Sequence, residues 1–202
     1  AVDAVAPEDD CDVLSNSTEG EYLDPREGFK YLNEYRSEKG VWYWNEDNVT
    51  VTYFNTNDDN ILKPYVWDSE LEAAAKIRAM ELSQRASHTR PDGTDWDTIY
   101  PRSPDFGSTS ECIMWGHTGT GAIDAWKEVA DPYDTQDHRR GLLSPYLNCA
   151  ALAGYEVKGT MYWVLSLARR HSLINNTPIT PHNQTLLPNQ KTLSDLNNLI
   201  IA

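Results

Sequence analysis

Apolar positions recur every three or four residues in three stretches of the chain, and alternate or run on without a break in three others. The periodic stretches predict helices. In the first, Phe29, Leu32 and Tyr35 form a stripe. Asp24 stands as cap with Pro25 at the first helical position and Glu27 three residues after the cap, and Gly40 ends the element. In the second, starting near Asp68 or Ser69, the face carries Leu71, Ala74, Ala75, Arg78 and Leu82, with Ala79 beside them. The third runs from about Gly121 to Pro132, with Ala122, Ala125, Trp126 and Val129 on one side. A short helical piece is expected over 137–143, ahead of Pro145.

The remaining patterns predict strands. Val49, Val51 and Tyr53 alternate with threonines after the turn signal Asn45-Glu46-Asp47-Asn48, which reads as a hairpin within 41–54. Residues 111–115 form a short strand candidate. The apolar runs 149–157 and 161–168, joined by Lys158-Gly159-Thr160, suit central strands covered on both faces. The order helix, hairpin, helix, strand, helix, strand, strand predicts an α/β fold: an α-β-α sandwich with a central antiparallel sheet and helices on both faces. One domain is expected over 23–170, with a hairpin insertion at about 41–63. Residues 1–22 read as a flexible acidic leader and 171–202 as an extended tail whose apolar end, from Leu193 to Ile201, can dock.

Composition narrows the partners. The 202 residues carry a formal charge of −14, which repels nucleic acid and anionic membranes and suits a cation, a neutral ligand or simple solubility. No run approaches the roughly 18 apolar residues of a transmembrane helix. The small apolar start, Ala1 to Ala6, followed by acidic residues, fits either a mature secreted or cell-surface chain after signal removal or an artificial start. The three cysteines, Cys11, Cys112 and Cys149, allow at most one internal bridge. Cys112–Cys149 is the preferred pairing because both lie in ordered, apolar-flanked segments. Asn16, Asn48, Asn175 and Asn183 stand in N-x-S/T patterns.

Four segments taken together resemble the CAP superfamily, the cysteine-rich secretory, antigen 5 and pathogenesis-related group. They are Tyr31-Leu32-Asn33-Glu34-Tyr35-Arg36; the helix from Asp68 to Leu82 with its following Ser87-His88-Thr89-Arg90-Pro91-Asp92-Gly93; Glu111-Cys112-Ile113; and Trp126 with His138-Arg139 and Leu142-Leu143-Ser144-Pro145. The Arg-Pro-Asp-Gly variant, with Trp96 after it, is similar to bacterial members. Ser110 and Cys112 replace the Gly and Asn that the family places around its Glu, the link from Trp42 to Lys63 is longer than usual, and Glu128 follows Trp126 by two residues instead of about three.

The resemblance implies that His88, Glu111 and His138 converge in a polar cleft. Glu128, Asp134 and Asp137 are candidates for a further acidic group, Glu128 ranked first by its place on the third helix and Asp134 second. Two imidazoles with carboxylates offer ligand types suited to a divalent cation such as zinc, and calcium is the other candidate. A carboxylate beside an imidazole also orients its ring and could support a general base. No nucleophile accompanies the set: Ser87 and Ser110 flank it in sequence, there is no Gly-x-Ser-x-Gly elbow, and the charge of Glu111 disfavours a Cys112 thiolate. His117 is expected to be exposed, His171 and His182 to be solvated in the tail, and Trp126 to be core. Three functions follow: a non-enzymatic extracellular module binding a cation, a lipid or sterol, or a protein, with the aromatic insertion of Trp42, Tyr43, Trp44, Tyr53 and Phe54 as a contact surface; a metal-dependent hydrolase or peptidase; and a structural or adhesion unit of a surface protein.

Overall fold

The computed structural model describes residues 20–175, with side chains through Leu173. The elements are β1 (Glu21–Leu23), α1 (Arg26–Ser37), β2 (Trp42–Trp44), β3 (Val51–Tyr53), β4 (Val66–Trp67), α2 (Ser69–Gln84), β5 (Phe106–Trp115), α3 (Gly119–Trp126), α4 (Asp137–Leu142), β6 (Cys149–Val157) and β7 (Thr160–Arg170), with single 3-10 turns between some of them. The main sheet runs β1-β6-β7-β5 with antiparallel neighbours, and β4 adds to β6 in parallel.

The long β6–β7 hairpin forms because both strands are apolar on both faces. Its two-residue turn puts Lys158 and Gly159 at φ of 51° and 79°, the doubly left-handed geometry that matches strand twist. Side chains alternate across the sheet. Ala153, Tyr155 and Val164 face α2 and pack with Ala75, Ile77, Ala79 and Leu82. Leu152 and Leu165 face the other layer with Phe29, Leu32, Ala122, Ile123 and Leu142. Helix α1 crosses closely there: a Cβ on Gly28 would stand 2.7 Å from Leu152 and 3.2 Å from the Gly119 backbone. The layers are therefore α2, the sheet, and α1 with α3 and α4, which is the expected sandwich.

Asp68 caps α2 by accepting from the Glu70 and Leu71 amides at 3.0 Å each. At α1 the cap differs from expectation. Pro25 is the cap residue, in helical conformation without a side-chain bond, and Asp24 accepts from the Arg26 amide instead. Gly40 turns the chain at φ of 74°.

The hairpin forms as β2–β3, yet its aromatics turn inward. Trp42, Tyr43 and Trp44 are half-buried, Phe54 is buried, and the Arg139 guanidinium lies 4.7 Å from the Trp42 ring. Of the expected contact surface Tyr53 alone is exposed.

Several boundaries shift. Strand β5 starts at Phe106, five residues before the predicted strand, because it pairs with β7 through an irregularity between Phe106 and Thr109. Helix α3 ends at Trp126, since Glu128 adopts φ of 42°, and Val129 is exposed where the helical stripe placed it inside. Strands β1 and β4 are too short to show an alternation in sequence. β1 takes in residues 21 and 22 of the expected leader, and His171–Asn175 forms a 3-10 turn at the start of the expected tail. Residues 1–19 and 176–202, with Cys11, Asn16, His182 and Asn183, lie outside the described residues.

The preferred bridge between Cys112 and Cys149 is not formed; both thiols are free and buried. β7 separates their strands, and Cys112 pairs with Leu165 while Cys149 pairs with Ala168. Two strand spacings alone are about 9–10 Å, beyond the roughly 7 Å that a disulfide spans. Burial pushes both thiols up, Cys149 to about 12. For Cys112 the charges of Glu128, Glu111 and Asp137 add to burial, so neither thiol is a nucleophile.

Candidate functional site

The chain after α2 returns along β5 and brings His88 to Glu111. His88 Nδ1 lies 2.9 Å from Glu111 Oε1. The Glu111 carboxylate is wholly buried, whereas the His88 side chain is about half exposed (48%). A buried carboxylate needs charge and hydrogen-bond partners, and Arg78 of α2 supplies them. Its Nε donates to Oε2 at 2.7 Å and its second terminal nitrogen to Oε1 at 3.0 Å, a two-pronged bond. Arg78 also donates to Glu81 Oε2 at 2.9 Å and to the Ser87 carbonyl at 3.0 Å. Arg90 closes on Glu81 from outside at 2.8 Å.

Burial works against the Arg78 charge, but the bonds and charges of Glu111 and then Glu81 outweigh it and hold the guanidinium above its ordinary value. Tyr100 completes the floor with its hydroxyl 2.8 Å from Ser166 Oγ, opposite Glu111 in the β5–β7 register. Burial and then the Glu111 charge push the Tyr100 phenol up.

A second pair stands on the other side of β5. His138, at the start of α4, directs Nδ1 to Glu128 Oε1, and the other Glu128 oxygen accepts from the Arg139 amide at 3.2 Å. Trp126 underlies the pair. Its ring centroid is 6.3 Å from that of His138 at 32°, and its Nε1 donates to the Ile113 carbonyl at 3.1 Å, tying the end of α3 to β5.

The left-handed backbone at Glu128, uncommon for a residue with a side chain, turns that side chain back toward α4. Gln136, fully buried, fixes the bend. It donates to the Glu128 carbonyl at 2.8 Å and accepts from the Trp44 amide at 2.9 Å, so the hairpin insertion braces the site.

The two pairs reach β5 from opposite layers. Glu111 bonds α2, while its neighbours Ser110 and Cys112 face α4, where a Cβ on Gly141 would meet Oγ and Sγ at 3.7 Å each. β5 is the outer strand of the sheet on this side, so both pairs stand along one edge. The structure thus joins His88 to Glu111 and His138 to Glu128 as separate pairs. Asp134 is exposed in the 3-10 turn Tyr133–Thr135, and Asp137 pairs with Arg140. His117 is exposed, Trp126 is core and His171 is exposed, as read from the sequence.

Arg78 and Gln136 are the residues that sequence reading missed as site groups. The signal for Arg78 was present: a guanidinium on an otherwise apolar helix face must be buried with a carboxylate. Gln136 carried no such signal.

Chemically, each carboxylate positions an imidazole. Each Glu111 oxygen is hydrogen-bonded, by Arg78 and His88, and each Glu128 oxygen by His138 or the Arg139 amide. An ionised carboxylate only accepts, so each imidazole donates through Nδ1 and is left with Nε2 as an acceptor when neutral. No described residue bonds either Nε2. Among the described residues no group of three or more His, Cys, Asp and Glu side chains is arranged to hold a metal ion. The donor set therefore does not form a closed coordination shell of the structural kind.

The α-β-α sandwich sets the class of protein by its fold. Residues 29–167 match the cysteine-rich secretory protein family, CAP, and the chain belongs to that family. Among solved structures it is similar to an outer surface protein of Borrelia burgdorferi, with 18% identity, a TM-score of 0.52, and 75% of this chain and 98% of that one covered. A Bacillus anthracis extracellular protein containing an SCP domain is 20% identical with a TM-score of 0.41, over 54% of this chain and 35% of that one. A Schistosoma mansoni venom allergen-like protein is 12% identical with a TM-score of 0.46, over 72% and 86%. No curated protein matches the chain in sequence. No described helix is long and apolar enough to cross a membrane.

Proposed function

We propose that this chain is an extracellular CAP module that works by binding rather than by hydrolysis, and that His88 and His138 carry the binding chemistry through Nε2. The observation that supports this most is the engagement of Glu111. A general base needs an oxygen free to take a proton from water. The Glu111 carboxylate is instead wholly buried, with Arg78 and His88 on its oxygens in place of water. The reading outside the cell draws on the secretory family and on the likeness to a bacterial outer surface protein. The imidazoles suit a divalent cation of the zinc type, held weakly and with water in the remaining positions, because a carboxylate on Nδ1 fixes the ring and strengthens Nε2 as a donor.

The test uses zinc as the probe. Zinc added to the full chain should shift the imidazole NMR signals of His88 and His138 at lower concentration than those of His117, His171 and His182. His88→Ala and His138→Ala should each remove one response. Glu128→Gln should weaken the His138 response by about 10–100-fold, the usual effect of losing a carboxylate behind a ligating imidazole. Equal response of all five histidines would remove the site. Cleavage of a peptide library that Glu111→Gln abolishes would establish the hydrolase in its place.

A further inference from the structure

Strand β5 ends the main sheet among the described residues, with β7 on one side only. In an antiparallel pair the N–H and C=O of one residue point together, alternately toward the partner strand and away from it. Gly116 donates to the Met161 carbonyl at 2.9 Å, so Ser110, Cys112 and Met114 are the residues that face β7 in this register. Thr109, Glu111 and Ile113 turn their backbone groups outward. Two further bonds agree. The Ala168 carbonyl, opposite Thr109, is directed to the Asn148 amide on the far side of β7, and the Ile113 carbonyl meets the Trp126 indole from α3. Solvent reaches the edge at Glu111. The residue is 7% exposed while its side chain is 0% exposed, so the exposed part is backbone. Next to this stretch, a groove of about 440 Å³ opens between loop 97–104 and Phe106, Gly107 and Thr109 of β5.

We propose that this edge takes up an extended, basic segment of another protein as an added strand, bonded through the N–H and C=O groups of Thr109 and Glu111. An outer strand with outward backbone groups is a template for pairing, and main-chain bonds of this kind give affinity to an extended peptide whatever its sequence. Charge sets the preference: a chain of net charge −14 draws a segment that carries lysine or arginine. The same charge opposes a second copy of this chain. The open stretch opposes it too, because the Trp126 indole closes the edge at Ile113 and the irregularity between Phe106 and Thr109 limits it at the other end. A single slender segment fits that length, with the groove beside it for side chains. Alternate side chains of the added strand point to opposite layers, one set toward α2 and the other toward α4, and selection acts there. The inference rests on backbone groups and holds whether or not zinc binds the imidazoles.

The experiment is amide hydrogen exchange read by NMR on the full chain, with a capped hexapeptide of alternating lysine and valine as probe. At a concentration about ten times its Kd, the peptide should slow exchange of the Thr109 and Glu111 amides about tenfold. The Ser110 and Cys112 amides, already bonded to β7, should not change. The same peptide with every amide N-methylated keeps its charge, cannot donate, and should have no effect. Thr109→Pro removes an outward N–H and no bond to β7, a change that an edge strand tolerates. It should weaken the peptide about 2–10-fold, read from the Glu111 amide shift. Thr109 and Glu111 amides that do not respond to the lysine–valine peptide at millimolar concentration would overturn the inference. So would an equal response to the methylated peptide, or slow exchange of both amides in the chain alone.

Discussion

Arg78→Met lowers the unfolding free energy by about 3–5 kcal/mol, the usual effect of removing one partner of a buried ion pair. Arg78 is completely buried, and Glu111 has no solvent to turn to when the guanidinium is gone. The Ser87 carbonyl loses its donor in the same step. A urea titration followed by far-UV circular dichroism reads the change directly. Adding Glu111→Gln to the variant should recover part of the loss, because a neutral amide is cheaper to bury than an unpaired carboxylate. A loss below about 1 kcal/mol would place Arg78 and Glu111 in water, contrary to the network described above. The ion pair is also a device for the site. It holds the carboxylate that orients His88, so the variant should disturb the His88 imidazole signals even where the domain is folded.

Trp126→Ala has a similar size of effect by a different route. The indole is fully buried at the junction of α3, α4 and β5. Large-to-small changes of this kind cost about 3–5 kcal/mol, from lost apolar burial plus the cavity left behind. The Ile113 carbonyl loses its indole donor too, so Trp126→Phe should still cost about 1–3 kcal/mol. Because α3 ends at this residue and Glu128 follows two positions on, the loss loosens the bend that aims Glu128 at His138. Thermal unfolding and the His138 imidazole shift should therefore move together for Trp126→Ala, whereas His88 should keep its native signal. An unchanged melting temperature would show that the indole is not the keystone of that layer.

Much of the fold is written in local pattern. The stripes of α1 and α2 and the paired apolar runs of β6 and β7 are long enough for periodicity to speak, and they appear at their expected places. Strands of two or three residues, β1 and β4, exist only because β6 offers an open edge to pair with, which no local pattern reveals. Helix α3 shows the opposite failure. Its stripe continues through Val129, but a left-handed turn at Glu128, held by Gln136 eight residues on, ends it.

The site was legible to a similar degree. His88, Glu111 and His138 were expected to share one cleft, with Glu128 ranked first as the further acidic group; His88 instead meets Glu111 while His138 meets Glu128. Their division into two pairs on opposite faces of β5 depends on side-chain alternation along an edge strand. That is fixed by the register with β7 rather than by spacing in sequence. The disulfide failed for the same reason: two cysteines in ordered strands say nothing about which strand lies between them.

The measurement closest to the core of this account is the tautomeric state of the two rings, read from long-range proton–nitrogen NMR spectra at a pH where they are neutral, with His88→Gln and His138→Gln to assign the peaks. Both rings should carry their proton on Nδ1, against the glutamates, and show a bare Nε2 open to a ligand. Protonated Nε2 on both rings would mean that the carboxylates do not hold them, and the binding site described here would not exist.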